Sequence, residues 1–130
     1  MPLTIFFLKQ NNMSTHNDLG ALGESLAWAY LRAKGHIILQ TNFRIGHKEI
    51  DVISLCGDIL VFTEIKARST YAFGYPEEAV SRRKQQLVKQ AAEFYCLDHP
   101  QYTQFRFDIL SLLIQKNEIQ EAVHFEDAFY

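Results

Sequence analysis

Apolar positions first recur at helical spacing, then at strand spacing. From about Asp18 to Lys34, at 100° per residue, Leu19, Leu22, Leu26, Ala29, Tyr30 and Ala33 fall on one face, which predicts a helix. Ser14-Thr15-His16-Asn17-Asp18 offers capping side chains before it, and Gly35 can close it. Its polar arc is narrow, holding Ser25 and Arg32. Glu24 lies outside that arc, beside Ala27 and Leu31. With Gly20 and Gly23 allowing another element to approach closely, Glu24 is either a solvated surface acid or a functional one.

The period then changes. His36 to Phe43, centred on Ile37, Ile38 and Leu39, reads as a strand, and Asn42 to Lys48 as a turn-rich connection. In Glu49 to Lys66, two apolar, β-rich runs flank Gly57-Asp58, the pattern of a hairpin. A two-residue turn there sets Cys56 against Ile59, Asp51 against Glu64 and Glu49 against Lys66. Those four charged residues then share one face. Ile50, Val52, Leu60, Phe62 and Ile65 take the other in mixed order, and a bulge or a longer turn would shift the pairing.

The second strand is expected to end near Arg68, followed by an aromatic, mobile loop from Ser69 to Pro76 that either contacts a ligand or packs on the domain. A second helix is expected from about Glu77 to Leu97, with Val80, Leu87, Val88, Ala91, Phe94 and Tyr95 inward. Lys84 falls in that same arc, so it either snorkels outward or reaches the acidic face of the sheet. Phe105 to Ile114 reads as a strand on which Arg106 and Asp108 share a face, with Asp108 expected in an internal ion pair. A last strand runs from Ile119 to Phe125. The order α-β-β-β-α-β(-β) predicts a small α/β domain, a mixed sheet flanked by helices.

A chain of 130 residues is most simply one domain, and 48% apolar with 22% charged residues fits a soluble globular protein. The net charge of −2 gives no global basic footprint, so a nucleic-acid partner needs a local basic patch. Cys56 and Cys96 match no metal spacing and suggest free thiols in a reducing, cytoplasmic compartment. The five histidines show no paired zinc spacing. Residues 1–13 read as an extension, with Met13 an alternative start and residues 14–130 the domain. Leu3 to Leu8 is too short to span a membrane and lacks the flanks of a signal peptide.

The hairpin's register is costly unless something relieves it. Two carboxylates roughly 5 Å apart repel by about 3 kcal/mol at an effective dielectric near 20. Protonation, pairing with Lys66 or a divalent cation would relieve this, and Asp51 with Glu64 offers hard oxygen ligands for Mg²⁺. Two acids, a metal and a lysine are the parts needed to hydrolyse a phosphodiester. The plain alternative is an exposed sheet face with a Glu–Lys cross-strand pair.

Glu24 on the first helix, Asp51 on a strand and Glu64-Ile65-Lys66 on the next resemble the PD-(D/E)xK nuclease constellation. The nearest resemblance is to the uncharacterised bacterial YraN family, similar in turn to archaeal Holliday junction resolvases. It extends from about Leu19 to Asp108, through Gly20-Ala21-Leu22-Gly23-Glu24, Asn42-Phe43-Arg44, Glu49-Ile50-Asp51, Phe62 to Arg68, Phe73-Gly74, Lys84 and Arg106-Phe107-Asp108. Ile50 stands where the superfamily has its namesake proline, and Lys48 where YraN-like chains usually have glycine.

The resemblance implies a metal-dependent endonuclease acting on DNA, branched or otherwise structured. Asp51, Glu64, the Ile65 carbonyl and Glu24, directly or through water, would hold Mg²⁺ or Mn²⁺. Lys66 would orient the attacking water, Glu49 would act through water, and Arg44, Arg68 and Lys84 would contact phosphates. A homodimer would suit a two-strand cut. Two other readings stay open: a non-catalytic nucleic-acid-binding module that recruits a DNA-processing partner, and a protein-interaction domain using Tyr71 to Tyr75.

Overall fold

The computed structural model describes residues 16–72, 74–75 and 80–129, with side chains from Leu19 onward. The first helix, α1 (His16–Ala33), ends where the periodicity changes. Gly35 takes φ +93°, and the His36 N–H donates to the Leu31 carbonyl at 3.0 Å, closing the last turn. The predicted caps Ser14 and Thr15 lie outside the described residues. The buried face of α1 holds Leu22, Leu26, Ala27 and Leu31. It is rotated from the predicted face, since Ala33 is exposed, and the rotation brings the flank carrying Glu24 to the edge of the core.

Five strands follow in a mixed sheet of order β1-β2-β3-β4-β5: β1 (Ile37–Ile45), β2 (Lys48–Cys56), β3 (Ile59–Arg68), β4 (Phe105–Gln115) and β5 (Glu118–Phe129). β1 to β3 pair antiparallel, β3 and β4 parallel, and β4 and β5 antiparallel. The second helix, α2 (Arg82–Asp98), makes the crossover between the parallel strands.

Three predicted boundaries move. β1 continues to Ile45, and its connection to β2 contracts to Gly46-His47, with Gly46 at φ +60°. Asn42, predicted in that turn, keeps a left-handed φ of +53° inside the strand. α2 begins at Arg82 rather than near Glu77, because Ser81 is extended and its hydroxyl caps the helix by accepting the Lys84 N–H. Residues 76–79 of the predicted helix lie outside the described residues. Its buried residues are Val88, Ala91, Ala92 and Tyr95, while Phe94 is exposed. β5 runs on to Phe129, past an irregularity at Asp127, whose φ is +54°.

Each face of the sheet has its own core. Ile50, Ile53, Leu60, Phe62, Phe107 and Ile109 pack with Val88, Ala91 and Tyr95 of α2. Val52, Leu110, Leu112 and Ile114 pack with Leu22, Leu26, Ala27 and Leu31 of α1. The sheet is therefore sandwiched between the helices, as the element order predicts.

Contact between α1 and β3 is closest at Gly23, where an added Cβ would lie 2.5 Å from the Cβ of Ala67. An added Cβ on Gly20 would meet nothing within 4 Å. The two glycines should respond oppositely to alanine. Gly20→Ala should stabilise by roughly 0.5–1 kcal/mol through helix propensity. Gly23→Ala should cost roughly 1–3 kcal/mol through overpacking, with Ala67→Gly restoring part of the loss. Urea unfolding of the three variants checks this, and equal effects at both glycines would contradict it.

Candidate functional site

The predicted hairpin register holds from Cys56↔Ile59 out to Val52↔Thr63, where the β2–β3 ladder ends. The next residues on each strand are Asp51 and Glu64, and they are not a ladder pair. Instead, the Asp51 carboxylate reaches across and its Oδ2 accepts the Ile65 N–H at 2.8 Å. β2 changes face at this point. Ile50 and Ile53 lie in the α2-side core although Val52 lies in the α1-side core. The left-handed Asn42 falls between the pairs Thr41↔Val52 and Phe43↔Ile50, opposite Asp51. The strands thus part at a local irregularity and leave a notch between β2 and β3.

Two cavities meet at the notch. One, of about 250 Å³, is lined by Gly20, Glu24, Asp51, Ile65, Lys66 and Ala67. The other, of about 510 Å³, is lined by Asp51, Glu64, Ile65, Lys66, Val80, Ser81 and Lys84. Asp51, Ile65 and Lys66 border both cavities, so Glu24 approaches Asp51 from α1 and Glu64 approaches it from the α2 side.

Glu64 is 3% exposed. Its Oε2 lies 3.3 Å from Lys84 Nζ, while its buried Oε1 has no hydrogen-bond partner among the described residues. Burial, then the neighbouring Asp51 charge, pushes its pKa up to about 8 against the opposing pull of Lys84 and, more weakly, of the Asp51 backbone N–H. Asp51 is also raised, first by burial and then by Glu49 and Glu24, against the Ile65 N–H and Lys84. A buried acceptor without a partner costs about 1–3 kcal/mol, more if charged. The notch is therefore an unfavourable place for two carboxylates and a favourable one for a cation.

The structure brings Glu24, Asp51, Glu64 and Lys66 around one opening, but not on the single sheet face that the register predicts. Glu49 does not face Lys66. It pairs with Arg44 across the β1–β2 ladder, Nη2 to Oε2, at 2.9 Å. Lys66 is exposed and has no ion-pair partner among the described residues. Lys84 takes the inward of its two predicted courses, to Glu64. Arg68 donates to the Gly74 carbonyl, and the Tyr71 hydroxyl meets Glu121, so contacts on both sides hold the aromatic loop. Phe73 and Pro76 of that loop lie outside the described residues.

Among the described residues, no three His, Cys, Asp or Glu side chains are close enough to hold a metal by themselves. The donor set that fits a hard cation is Asp51 and Glu64, completed by backbone oxygen and water.

A second polar cluster escaped the sequence. Asp108 accepts from Arg106 Nε and Nη2 at 3.0 and 3.1 Å, from His124 Nε2 at 2.8 Å and from the Asp127 N–H at 3.0 Å. Burial alone would raise its pKa, but these donors outweigh it and hold the carboxyl below the usual range. Lys34 Nζ lies 2.9 Å from His124 Nδ1, and buried His36 bonds Ser54 Oγ at 2.8 Å. The Arg106–Asp108 pair was legible from their shared face, but a lone histidine sixteen residues away gives no local signal. With its acceptors filled, this cluster ties β4 to β5 and borders neither cavity of the notch.

The profile of Uncharacterised protein family UPF0102 matches residues 23–112. The chain belongs to this family. A UPF0102 protein of Flavobacterium psychrophilum is 41% identical over 118 residues, covering 91% of this chain and 98% of that one. A UPF0102 protein of Alkaliphilus oremlandii is 40% identical, covering 88% and 99%. One from Dictyoglomus thermophilum is 39% identical, covering 78% and 87%. The UPF0102 match spans the notch residues from Glu24 to Lys84. Among the described residues, no helix is long and apolar enough to cross a membrane.

The raised pKa values set a pH dependence. From the ordinary value of 4.5 to about 8, the folded notch holds a proton that the unfolded chain has released. The native state then binds more protons, so stability falls as pH rises through this window. Glu64→Gln removes that linkage. Measured by urea unfolding without metal, the variant should gain on wild type from pH 5 to pH 8, whereas a difference independent of pH would contradict the assignment.

Proposed function

We propose that this UPF0102 protein is a metal-dependent endonuclease that hydrolyses phosphodiester bonds in DNA, with branched or structured DNA as the preferred class. The observation that carries this reading is Glu64, buried beside Asp51 with one oxygen unpartnered at an opening that also holds Lys66. The resemblance to the PD-(D/E)xK constellation supports the same assignment.

Asp51 and Glu64, with the Ile65 carbonyl, would hold Mg²⁺ or Mn²⁺, and Glu24 would reach it through water from the α1-side cavity. When bound, such an ion lowers the pKa of a water and neutralises charge on the phosphoryl group. The Ile65 N–H fixes the Asp51 carboxylate, so that acid is oriented before substrate arrives. Lys66 borders both cavities, from where its Nζ can donate to the attacking water or to a phosphoryl oxygen. Arg44, exposed beside its Glu49 partner, would meet backbone phosphate, a contact that positions the strand without reading sequence.

Cleavage assays on branched and single-stranded DNA with Mg²⁺ or Mn²⁺ test this. Asp51→Asn should abolish cleavage while the protein stays folded. Lys66→Ala should slow it by about 10²–10³-fold, the typical loss of one transition-state donor. Full activity in Asp51→Asn would overturn the assignment. Salt-sensitive binding without cleavage under any metal would instead favour a non-catalytic recruiting module.

A further inference from the structure

Lys84 occupies an unusual position. Ser81 caps α2 by accepting the Lys84 N–H at 3.2 Å, and the first turn that follows is Arg82-Arg83-Lys84, with no acidic residue. A helix N-terminus favours anions, so three cations there oppose the helix dipole. Lys84 alone of the three lines the notch, where its ammonium lies 3.3 Å from Glu64 Oε2. The other oxygen of that carboxylate is buried and has no hydrogen-bond partner among the described residues. Lys84 is therefore already a cation at the place where the donor set calls for one.

Its side chain is 43% exposed, so the ammonium has a route outward on a flexible stem. A divalent ion between Asp51 and Glu64 would repel it at short range. The anion that then comes within its reach is the phosphodiester that the same notch receives. Resting on the metal-dependent reading above, we infer that Lys84 is an exchanging counter-ion: it pairs with the ionised Glu64 carboxylate before metal arrives, is displaced by the ion, and passes to a backbone phosphate of the substrate. Lys84 is thus a positioning residue for the metal site and, after exchange, a phosphate contact. The arrangement guards the acidic pair while the site is unloaded and couples metal loading to nucleic-acid grip.

The full chain tests this with two readouts other than turnover. In Mg²⁺ titration calorimetry at pH 8.5 without nucleic acid, Lys84→Met should bind the ion roughly tenfold more tightly than wild type, because a competing charge is gone. Lys84→Arg, which keeps the charge, should behave as wild type. In binding to a branched DNA oligonucleotide over a salt series at the same pH of about 8.5, Lys84→Met should flatten the log–log slope by about 0.9 when Ca²⁺ is present, and leave it unchanged in EDTA, where Lys84 is engaged by the ionised Glu64.

Unchanged or weaker Mg²⁺ binding in Lys84→Met, with wild type binding normally, would overturn the exchange while leaving the metal site standing. An equal loss of slope with and without Ca²⁺ would make Lys84 a permanent phosphate contact and also overturn it. A wild type that binds no Mg²⁺ would overturn the metal-dependent reading itself, and the exchange with it.

Discussion

Two carboxylates share a partly closed space at the end of a β-ladder, and much of this structure follows from that constraint. In a regular hairpin open to water, Asp51 and Glu64 would stand as a cross-strand pair whose repulsion solvent screens. Here the ladder stops at Val52↔Thr63, and the Asp51 side chain takes the Ile65 N–H. That bond holds Asp51 toward Glu64 rather than away from it. Burial then raises both pKa values, and the single ammonium of Lys84 answers only part of the charge. Perturbed acids of this kind cluster at functional sites.

The surrounding architecture serves this placement. The bare Cα of Gly23 lets α1 settle against Ala67 of β3, which sets the neighbouring Glu24 beside the α1-side cavity. On the other face, the Ser81 cap starts α2 where its first turn overlooks Glu64. The two helices thus approach one notch from opposite sides of the sheet. The cluster around Asp108 is the opposite case. It is equally charged and more buried, yet every acceptor is met, so its carboxyl is held below the usual range and its task is cohesion of β4 and β5.

Much of this was legible in the sequence. The element order, the two-residue turn at Gly57-Asp58 and the hairpin register as far as Val52 follow from local pattern, because alternation and turn chemistry act over a few residues. Glu24, Asp51, Glu64 and Lys66, which border the notch, could be picked out as candidates in the sequence, since their types and order carry the resemblance. Period alone could not give the last step of the register. A regular count places Asp51 and Glu64 as a cross-strand pair, whereas the left-handed Asn42 and the change of face at Asp51 break the ladder there. The rotation of the α1 face toward Leu31 goes with the close Gly23–Ala67 approach, a tertiary contact that helical period does not encode. His36 and His124 were missed for the same reason, because their partners are distant in sequence.

Thermal unfolding with Mg²⁺ or Mn²⁺ shows, without any assumption about substrate, whether the Asp51–Glu64 notch takes up the divalent cation proposed for it. At 100 times its dissociation constant, the ion should stabilise the wild type by about 2.7 kcal/mol, a shift of several degrees. Asp51→Asn should lose that shift while being at least as stable as wild type without metal, because the repulsion is gone. The account is contradicted if millimolar metal leaves the wild type unmoved, or if both proteins shift equally.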